Sequence, residues 1–175
     1  MKFLVTGGAG YIGSNMVKYL QELNHEVVVI DNLSTGNIWA LNECELIKID
    51  LCNYDKISEL LKKQKFDGIF HFAAKSLVEE SFLHQDTYLK NNVLGTINLL
   101  KIMIENEWDN LVFASSASVY GNPNNACIDE THETSPISPY GKSKLKCEKL
   151  IIKMLQKHNL KYSILRYFNV SGANK

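Results

Sequence analysis

The chain lacks net charge, paired cysteines and long apolar runs. Its 175 residues carry 19 basic and 19 acidic side chains, so its charge does not favour general binding to nucleic acid or an anionic membrane. No apolar run approaches bilayer-spanning length. The apolar start of the chain is interrupted at Gly7, where the hydrophobic region of a secretory signal would have to continue. These absences predict a cytoplasmic globular protein of one domain, long enough to bury a core.

The cysteines are few and scattered. Cys44, Cys52, Cys127 and Cys147 form no CxxC pair, which disfavours both a zinc site and a disulfide framework. Nothing near His71 supplies the spacing of metal ligands. We therefore expect reduced thiols and no metal.

A glycine-rich turn opens the chain. The segment MKFLVTGGAGYIG places an apolar strand before Gly7, Gly10 and Gly13, and the amphipathic stretch Tyr11–Leu23 follows. Glycines in this context allow a sharp turn and close approach of the backbone to a diphosphate. The diphosphate then lies at the helix N-terminus, where free N–H groups and the helix dipole favour negative charge. An ordinary glycine loop would show the same triplet, so a second signal is needed.

Asp31 supplies that second signal. The apolar run Val27–Ile30 ends at Asp31, close to the distance expected for the acidic residue that holds an adenosine ribose. A carboxylate there accepts hydrogen bonds from two free ribose hydroxyls and repels a 2′-phosphate. The pattern therefore predicts a dinucleotide site that prefers NAD to NADP.

Apolar runs alternate with helical patterns along the whole chain, without an internal repeat. The predicted strands are Lys2–Thr6, Glu26–Asp31, Glu45–Ile49, Gly68–Phe72, Asn110–Ser115 and Lys161–Arg166. The predicted helices are Tyr11–Leu23, Tyr54–Gln64, Asp86–Asn106 and Pro139–Asn159. This alternation predicts an α/β fold, a doubly wound parallel sheet of Rossmann type with helices on both faces. Ligands of such sheets lie beyond the carboxyl ends of the strands.

Several polar or small residues follow predicted strands. The segment Asn32–Leu41 is expected to wrap the adenosine side as a loop. Asp50 is placed either to accept a hydrogen bond from an adenine amino group or to lie in the N-cap region of a helix. Phe72, Ala73 and Ala74 offer small side chains where backbone must approach a ligand. His71 is interpreted as a packed strand residue rather than a catalyst.

The two long predicted helices carry apolar stripes. We expect the stripe of Asp86–Asn106 to face the core; it comprises Leu89, Val93, Ile97, Leu100 and Ile104. A second face, comprising Tyr88, Leu99 and Met103, makes a homodimer through this helix and Pro139–Asn159 a hypothesis.

The candidate catalytic residues follow the fifth predicted strand. Ser116 lies at its carboxyl edge, and Tyr140 and Lys144 are four residues apart, on one face of a helix. A phenol has a pKa of about 10 and is a poor base at neutral pH. A nearby ammonium, together with a positively charged nicotinamide ring, would lower that pKa. Tyr140 could then take a proton from a sugar hydroxyl that Ser116 orients, while Lys144 holds the nicotinamide ribose.

These residues belong to motifs that resemble a known family. GGAGYIG, DNLSTG at Asp31–Gly36, SSASVYG, YGKSK and LRYFNVSGA at Leu165–Ala173 are together similar to the extended short-chain dehydrogenases/reductases. Within that superfamily the chain most resembles the UDP-glucose 4-epimerase (UDP-galactose 4-epimerase) family of galactose metabolism. The resemblance covers essentially the whole chain.

The resemblance implies tightly held NAD, a UDP-sugar substrate, Tyr140 as base, and Ser116 and Lys144 as its partners. It implies contacts with NAD for Gly7, Gly10, Tyr11, Ile12, Gly13, Asp31, Asn32, Leu33, Ser34, Thr35, Gly36, Asp50, Leu51, Phe72, Ala73, Ala74, Asn91, Tyr140, Lys144 and Phe168. It implies substrate contacts for Ser116, Tyr140 and Asn169. The implied reaction is 4-epimerisation of a UDP-hexose: the sugar is oxidised at C4, turns over as a 4-keto intermediate and is reduced on its other face.

Two features depart from the family pattern. Asn15 stands where the family usually has a histidine, next to the glycine turn. The chain stops at Lys175, just after the motif that leads into the substrate lobe of the family. We expect an N-terminal NAD-binding domain of a longer epimerase, the alternative being a naturally short protein with the cofactor domain alone. The isolated chain is expected to bind NAD but to be inactive or weak.

Other functions stay open. A dehydratase of the same superfamily is disfavoured, because Ala117 and Ser118 stand where dehydratases carry Asp-Glu. An epimerase for UDP-N-acetylhexosamines or uronates is possible, since the residues that gauge sugar bulk lie largely in the substrate lobe. A catalytically silent NAD-binding domain is the non-enzymatic alternative, although such proteins typically lose the tyrosine or lysine that this chain keeps.

Overall fold

The protein is built on a six-stranded parallel sheet of order β3-β2-β1-β4-β5-β6. The computed structural model describes residues 1–41, 43–123 and 127–172. Its strands are β1 Lys2–Thr6, β2 Glu26–Asp31, β3 Glu45–Lys48, β4 Gly68–His71, β5 Asn110–Ser116 and β6 Lys161–Tyr167. The chain leaves β1 for β2 on one side and returns to β4 on the other, so the strand order reverses between β1 and β4. This is the doubly wound arrangement that the alternation of elements predicted.

Helices cover both faces of the sheet. They are α1 Tyr11–Glu22, α2 Tyr54–Leu61, α3 Val78–Leu83, α4 Gln85–Tyr88, α5 Gly95–Glu105 and α6 Pro139–Lys157. Two 3₁₀ turns, Ile38–Ala40 and Ala117–Val119, and a π turn, Leu89–Leu94, complete the irregular parts. Helix α3 was not predicted, because it has six residues and no side-chain cap. No helix of the described part of the chain is long and apolar enough to cross a bilayer.

The buried strands explain the apolar runs of the sequence. In β2, Val28 and Ile30 face a core shared with α2, α5 and α6, and Val27 and Val29 face the core beneath α1. Because both faces of the strand are covered, the sequence reads as a continuous apolar run rather than an alternating one.

The helix predicted over Asp86–Asn106 is divided by the π turn into α4 and α5. Of its predicted core stripe, Val93 and Leu100 are buried in the core and Ile97 and Ile104 pack against it. Leu89, at the start of the π turn, is instead 39% exposed. The side chains proposed for a second, dimer-forming face are buried in the core of the chain itself: Tyr88, Leu99 and Met103 are each 0% exposed. A homodimer therefore stays a prediction, and these three side chains are not available to form it.

Candidate functional site

A cleft of about 620 Å³ opens at the carboxyl edge of the sheet, where the strand order reverses. It is lined by Gly7, Gly10, Tyr11, Ile12, Gly13, Asp31, Asn32, Ser34, Thr35, Gly36, Asp50, Leu51, Phe72, Ala73, Ala74, Asn91, Tyr140, Lys144 and Phe168 from the predicted cofactor set, and by Ser116 and Asn169 from the predicted substrate set. Leu33 alone of the predicted residues does not line it. The fold thus brings together segments that are far apart in sequence.

The glycine turn requires residues without side chains. Gly7 has φ of +72°, and a Cβ on it would lie 2.5 Å from the amide nitrogen of Ala73. A Cβ on Gly13 would lie 2.1 Å from the Gly7 carbonyl oxygen. Helix α1 starts immediately after Gly10, which supplies no side-chain cap, and its first turn carries no acidic residue. The N–H groups at this helix start are therefore available to an anion in the cleft.

The carboxylate of Asp31, at the end of β2, accepts hydrogen bonds from the glycine turn and from the loop that follows the strand. Its Oδ2 accepts a hydrogen bond from the Ala9 N–H at 2.9 Å, and its Oδ1 accepts one from the Leu33 N–H at 2.8 Å. Each carboxylate oxygen keeps a further lone pair for a ligand hydroxyl. Leu33 itself, at φ of +57°, contributes to the site through this turn rather than through its side chain.

Asp50 lies further along the same edge. It accepts hydrogen bonds from the Cys52 N–H at 2.8 Å and from Asn32 Nδ2 at 3.0 Å. Partial burial raises its pKa, but these hydrogen bonds and the charge of Lys90 outweigh that effect and hold the pKa below its ordinary value. The N-cap of α2 is Asn53, whose side chain accepts from the Lys56 N–H. Asp50 is therefore an ionised cleft residue and not the cap.

His71 is a packed strand residue, as interpreted from the sequence. Its Nδ1 is 2.7 Å from Thr6 Oγ1 and its Nε2 is 2.9 Å from Thr96 Oγ1. Burial, with a smaller effect from the charge of Lys144, lowers the pKa of His71 to about 3. The ring is neutral at physiological pH. The described part of the chain holds no group of His, Cys, Asp or Glu side chains arranged to bind a metal ion.

Tyr140 and Ser116 meet at the other end of the cleft. Helix α6 begins at Pro139, and the Ser138 hydroxyl accepts a hydrogen bond from the Gly141 N–H at 3.0 Å. This cap holds Tyr140 in the first turn. Tyr140 and Ser116 both line the cleft, and the Ser116 hydroxyl lies close enough to the Tyr140 phenol to lower its pKa. The two side chains are only 8% and 9% exposed.

Lys144 lies one turn further along α6 and is almost completely buried. Its Nζ donates to the Ala114 carbonyl at 2.7 Å and lies 4.9 Å from the centre of the Phe113 ring. Burial lowers the pKa of Lys144 to about 8, although Cys147 and Glu148 oppose this effect. The ammonium is 5.9 Å from the centre of the Tyr140 ring.

The expected lowering of the Tyr140 pKa is not found in the chain by itself. Burial raises the pKa of Tyr140, and the nearby Ser116 hydroxyl opposes this only partly. The physical reason is that the phenolate of Tyr140 would lose its hydration at this buried position, which disfavours the charged form and raises the pKa. The prediction of a lowered pKa combined the charge of Lys144 with that of a nicotinamide ring. The second charge belongs to the cofactor and not to the chain.

Asn92 supports the site without lining the cleft, and the sequence reasoning missed it. The Lys75 N–H donates to Asn92 Oδ1 at 2.8 Å, and Asn92 Nδ2 donates to the Lys75 carbonyl at 3.0 Å. Asn92 Nδ2 also reaches Ser143 Oγ at 3.0 Å. These bonds hold the loop after β4 against α6. The sequence does not show which of the two neighbouring asparagines faces the cleft. The backbone of the π turn places Asn91 in the cleft and buries Asn92.

The fold and the site define a dinucleotide-binding protein of the short-chain dehydrogenase/reductase kind. Residues 3–175 match the NAD dependent epimerase/dehydratase family, and the chain belongs to that family. Among curated relatives, the UDP-glucose 4-epimerase of Halalkalibacterium halodurans is 41% identical over 174 residues. That match covers 99% of this chain and 52% of the relative, so the chain spans about half the length of the curated relatives it matches.

Solved structures show the same likeness. The UDP-glucose 4-epimerase from Brucella ovis, in complex with NAD, superposes with a TM-score of 0.95 at 38% identity, covering 99% of this chain and 53% of that one. The UDP-glucose 4-epimerase from Thermotoga maritima, solved with UDP-glucose, superposes with a TM-score of 0.95 at 34% identity, covering 98% of this chain and 57% of that one. The glycine turn and the Tyr140 end of the cleft thus occur in a chain whose relatives are sugar-nucleotide epimerases.

Proposed function

We propose that the cleft binds NAD and that Tyr140, Ser116 and Lys144 serve the 4-epimerisation of a UDP-hexose, UDP-glucose or UDP-galactose. The observation that carries this proposal is that Ser116, Tyr140 and Lys144 line the same cleft as the glycine turn, with the Lys144 ammonium 5.9 Å from the centre of the Tyr140 ring. An acid–base group and a dinucleotide cradle in one cleft suit a redox reaction at a hydroxyl-bearing carbon.

The residues of the cleft fit NAD. The uncapped start of α1 would hold the diphosphate, where a side chain on Gly7 has no room. Asp31 would accept hydrogen bonds from the adenosine ribose, and Asp50 would accept one from the adenine amino group. Tyr140 and Lys144, at the opposite end, would border the nicotinamide ribose.

The chain's own residues would handle the proton of the reaction. Bound NAD would supply the chemistry of taking a hydride from C4 and returning it. The Tyr140 oxygen would receive the proton of the C4 hydroxyl and later give it back. Ser116 would orient that hydroxyl, and Asn169 would contact the sugar nucleotide. The ammonium of Lys144 would favour the phenolate of Tyr140.

The alternative functions are a dehydratase, an epimerase for other UDP-sugars and a silent NAD-binding domain, and each makes a different demand on the residues of the cleft. The segment Ala117–Val119 forms a 3₁₀ turn beside Ser116 and carries no carboxylate, which disfavours a dehydratase. A UDP-N-acetylhexosamine or uronate epimerase would use the same cleft. A silent NAD-binding domain would not require Ser116 and Tyr140 in the cleft, so their presence favours an enzyme.

The test is a titration of the purified 175-residue chain. Calorimetry should show NAD binding more tightly than NADP. The NAD-loaded chain is then incubated with UDP-glucose, UDP-galactose or, as a control, GDP-mannose. Reduced-nicotinamide absorbance should develop with the UDP-hexoses only. Bound NAD that neither UDP-hexose reduces would fit the expected weakness of a chain that spans about half of its relatives, and the same incubation would then be made with the full-length gene product, where absence of reduction would contradict the epimerase proposal. Failure of the chain to bind NAD would contradict the cofactor part of the proposal.

A further inference from the structure

Three residues of α6, each four positions from the next, contact three successive residues at the end of β5. Tyr140 lies beside Ser116, whose hydroxyl lowers the pKa of the phenol, and Lys144 donates a hydrogen bond to the Ala114 carbonyl. Glu148, one turn further on, accepts a hydrogen bond from the Ser115 hydroxyl at 2.5 Å. Tyr140 and Lys144 belong to the proposed reaction, but the motif analysis gave Glu148 no role.

Glu148 is a buried carboxylate with a fixed counter-ion. It is 2% exposed and receives both Nε and Nη2 of Arg166, at 3.0 and 2.8 Å. Arg166 pairs with Ser115 across β5 and β6, and its Nη1 donates to the Tyr120 hydroxyl at 2.8 Å. A buried carboxylate costs free energy unless its lone pairs are satisfied, and here three donors satisfy them.

We propose that Glu148, held by Arg166, is a positioning residue of the cleft: it anchors Ser115 beside Ser116 and keeps Lys144 in its ammonium form. The reactive role of Lys144 in this inference rests on the proposed function. Glu148 itself does not line the cleft.

The surroundings of Lys144 support an electrostatic role for Glu148. Its titratable neighbours are Tyr140, Cys147 and Glu148 on α6 and His71 on β4. His71 is neutral at physiological pH because its pKa is about 3. Glu148 carries a carboxylate, and Arg166, from β6, carries the positive charge paired with it. The direct partner of the ammonium is a carbonyl group. Burial favours loss of the Lys144 proton, and Glu148, one turn away, opposes that loss even though its charge is paired with Arg166.

The first experiment is an NMR titration of the lysine ammonium groups in the ¹⁵N-lysine-labelled chain. The Lys144 signal is assigned by its loss in Lys144→Arg. In Glu148→Gln, which removes the charge but keeps the size, the Lys144 midpoint should move to lower pH by about 1 pH unit. Glu148→Asp, which keeps the charge, should restore most of the shift. The matched control Glu133→Gln makes the same chemical change at an exposed loop position and should leave the midpoint where it is.

A second measurement needs no variant at Glu148, in case Glu148→Gln does not fold. In the unmodified chain, the ¹³Cδ signal of Glu148 should show a step at the same midpoint as Lys144, because the carboxylate senses the loss of the ammonium charge. An unmoved Lys144 midpoint in folded Glu148→Gln, or no coincident step in the unmodified chain, would overturn the proposal. Neither readout requires NAD or sugar turnover, so a failure of the proposed function would be seen separately.

If the chain reduces bound NAD with a UDP-hexose, the rate gives a third readout. The pH midpoint of that rate should fall in Glu148→Gln in parallel with the Lys144 signal. A lower rate with an unchanged midpoint would indicate a purely structural role and would contradict the inference.

Discussion

At the scale of single residues, burial governs the protonation of the cleft. Burial raises the pKa of Tyr140, so the phenol stays protonated and cannot accept a proton until positive charge is placed nearby. Lys144 sits one turn away, and its pKa of about 8 leaves it mostly protonated at neutral pH. The site is therefore arranged to become basic when a cationic ring is bound beside it.

Replacing the phenol tests this arrangement. Tyr140→Phe removes the proton acceptor but keeps the ring that packs edge-on against Tyr88. We expect NAD affinity to change little and the rate of nicotinamide reduction by a UDP-hexose to fall by about 10²–10⁴-fold, as measured by absorbance. Tyr19→Phe, at a tyrosine that is 58% exposed, is the matched control. Equal rates for Tyr140→Phe and the unmodified chain would remove the phenol from the mechanism.

The burial of His71 makes the stability of the fold depend on pH. Its pKa is about 3 in the fold and about 6.5 in an unfolded chain, so the unfolded state binds the proton more readily. The contribution of the neutral ring to stability is therefore complete above pH 6.5 and is lost as the pH falls towards 3.

The corresponding variant is His71→Asn, compared with the unmodified chain by urea unfolding at pH 7.5 and 5.0. The unmodified chain should lose about 2 kcal/mol more of its free energy of unfolding between these pH values than His71→Asn does. His84→Gln, at an exposed histidine, should behave like the unmodified chain. An equal loss in His71→Asn would show that the ring titrates normally in the fold.

At the scale of elements, two glycines of the β1–α1 turn are required for different reasons, one for folding and one for ligand binding. Gly7 is required by the backbone, since its φ is +72° and the Ala73 amide lies against it. Gly10 is in an extended conformation, and the nearest atom to an added Cβ is the Gly7 carbonyl oxygen at 3.3 Å. One glycine serves folding, and the other keeps the helix start open.

The two substitutions should therefore differ. Gly7→Ala should lower the free energy of unfolding by about 1–3 kcal/mol through backbone strain. Gly10→Ala should change stability little but weaken NAD binding, because its methyl group enters the proposed diphosphate site. Urea unfolding and calorimetry measure the two effects. A Gly10→Ala chain that binds NAD as tightly as the unmodified chain would place the diphosphate elsewhere.

Helix α5 shows where pattern analysis of an element fails. The apolar residues of Asp86–Asn106 fit a helix with one core face, and that fit put Leu100 inside and Leu99 on a second face. Both are 0% exposed, because α5 is covered on more than one side, and the sequence of a helix does not show what covers it. The strands, by contrast, end within one residue of prediction.

At the scale of the whole molecule, one wall of the cleft is open. Phe168 is 63% exposed and Val170 is 45% exposed, and both line it. We therefore predict that the 175-residue chain binds NAD but interconverts UDP-glucose and UDP-galactose slowly, because water competes for the sugar. A coupled assay for UDP-glucose formed from UDP-galactose measures the rate. Turnover at 10 s⁻¹ or more, about the enzyme median, would contradict this prediction.

The last prediction at this scale concerns self-association of the chain. Sedimentation velocity at micromolar concentration tests the homodimer predicted from the long helices, and a single monomeric boundary would contradict it. Because Tyr88, Leu99 and Met103 are buried in the core, substitutions there would report on folding rather than on a dimer interface.

Local patterns were enough to predict the strand–helix alternation, the glycine turn, Asp31 and the Tyr140–Lys144 spacing, because each of these has a local cause. Packing set the features that no local pattern contains: the burial of α5 on more than one side, the hydrogen bonds of Asn92 and the register that places Glu148 beside Ser115 and Arg166. It also decided the sign of the Tyr140 pKa change, because burial is a property of the packed molecule and not of any segment.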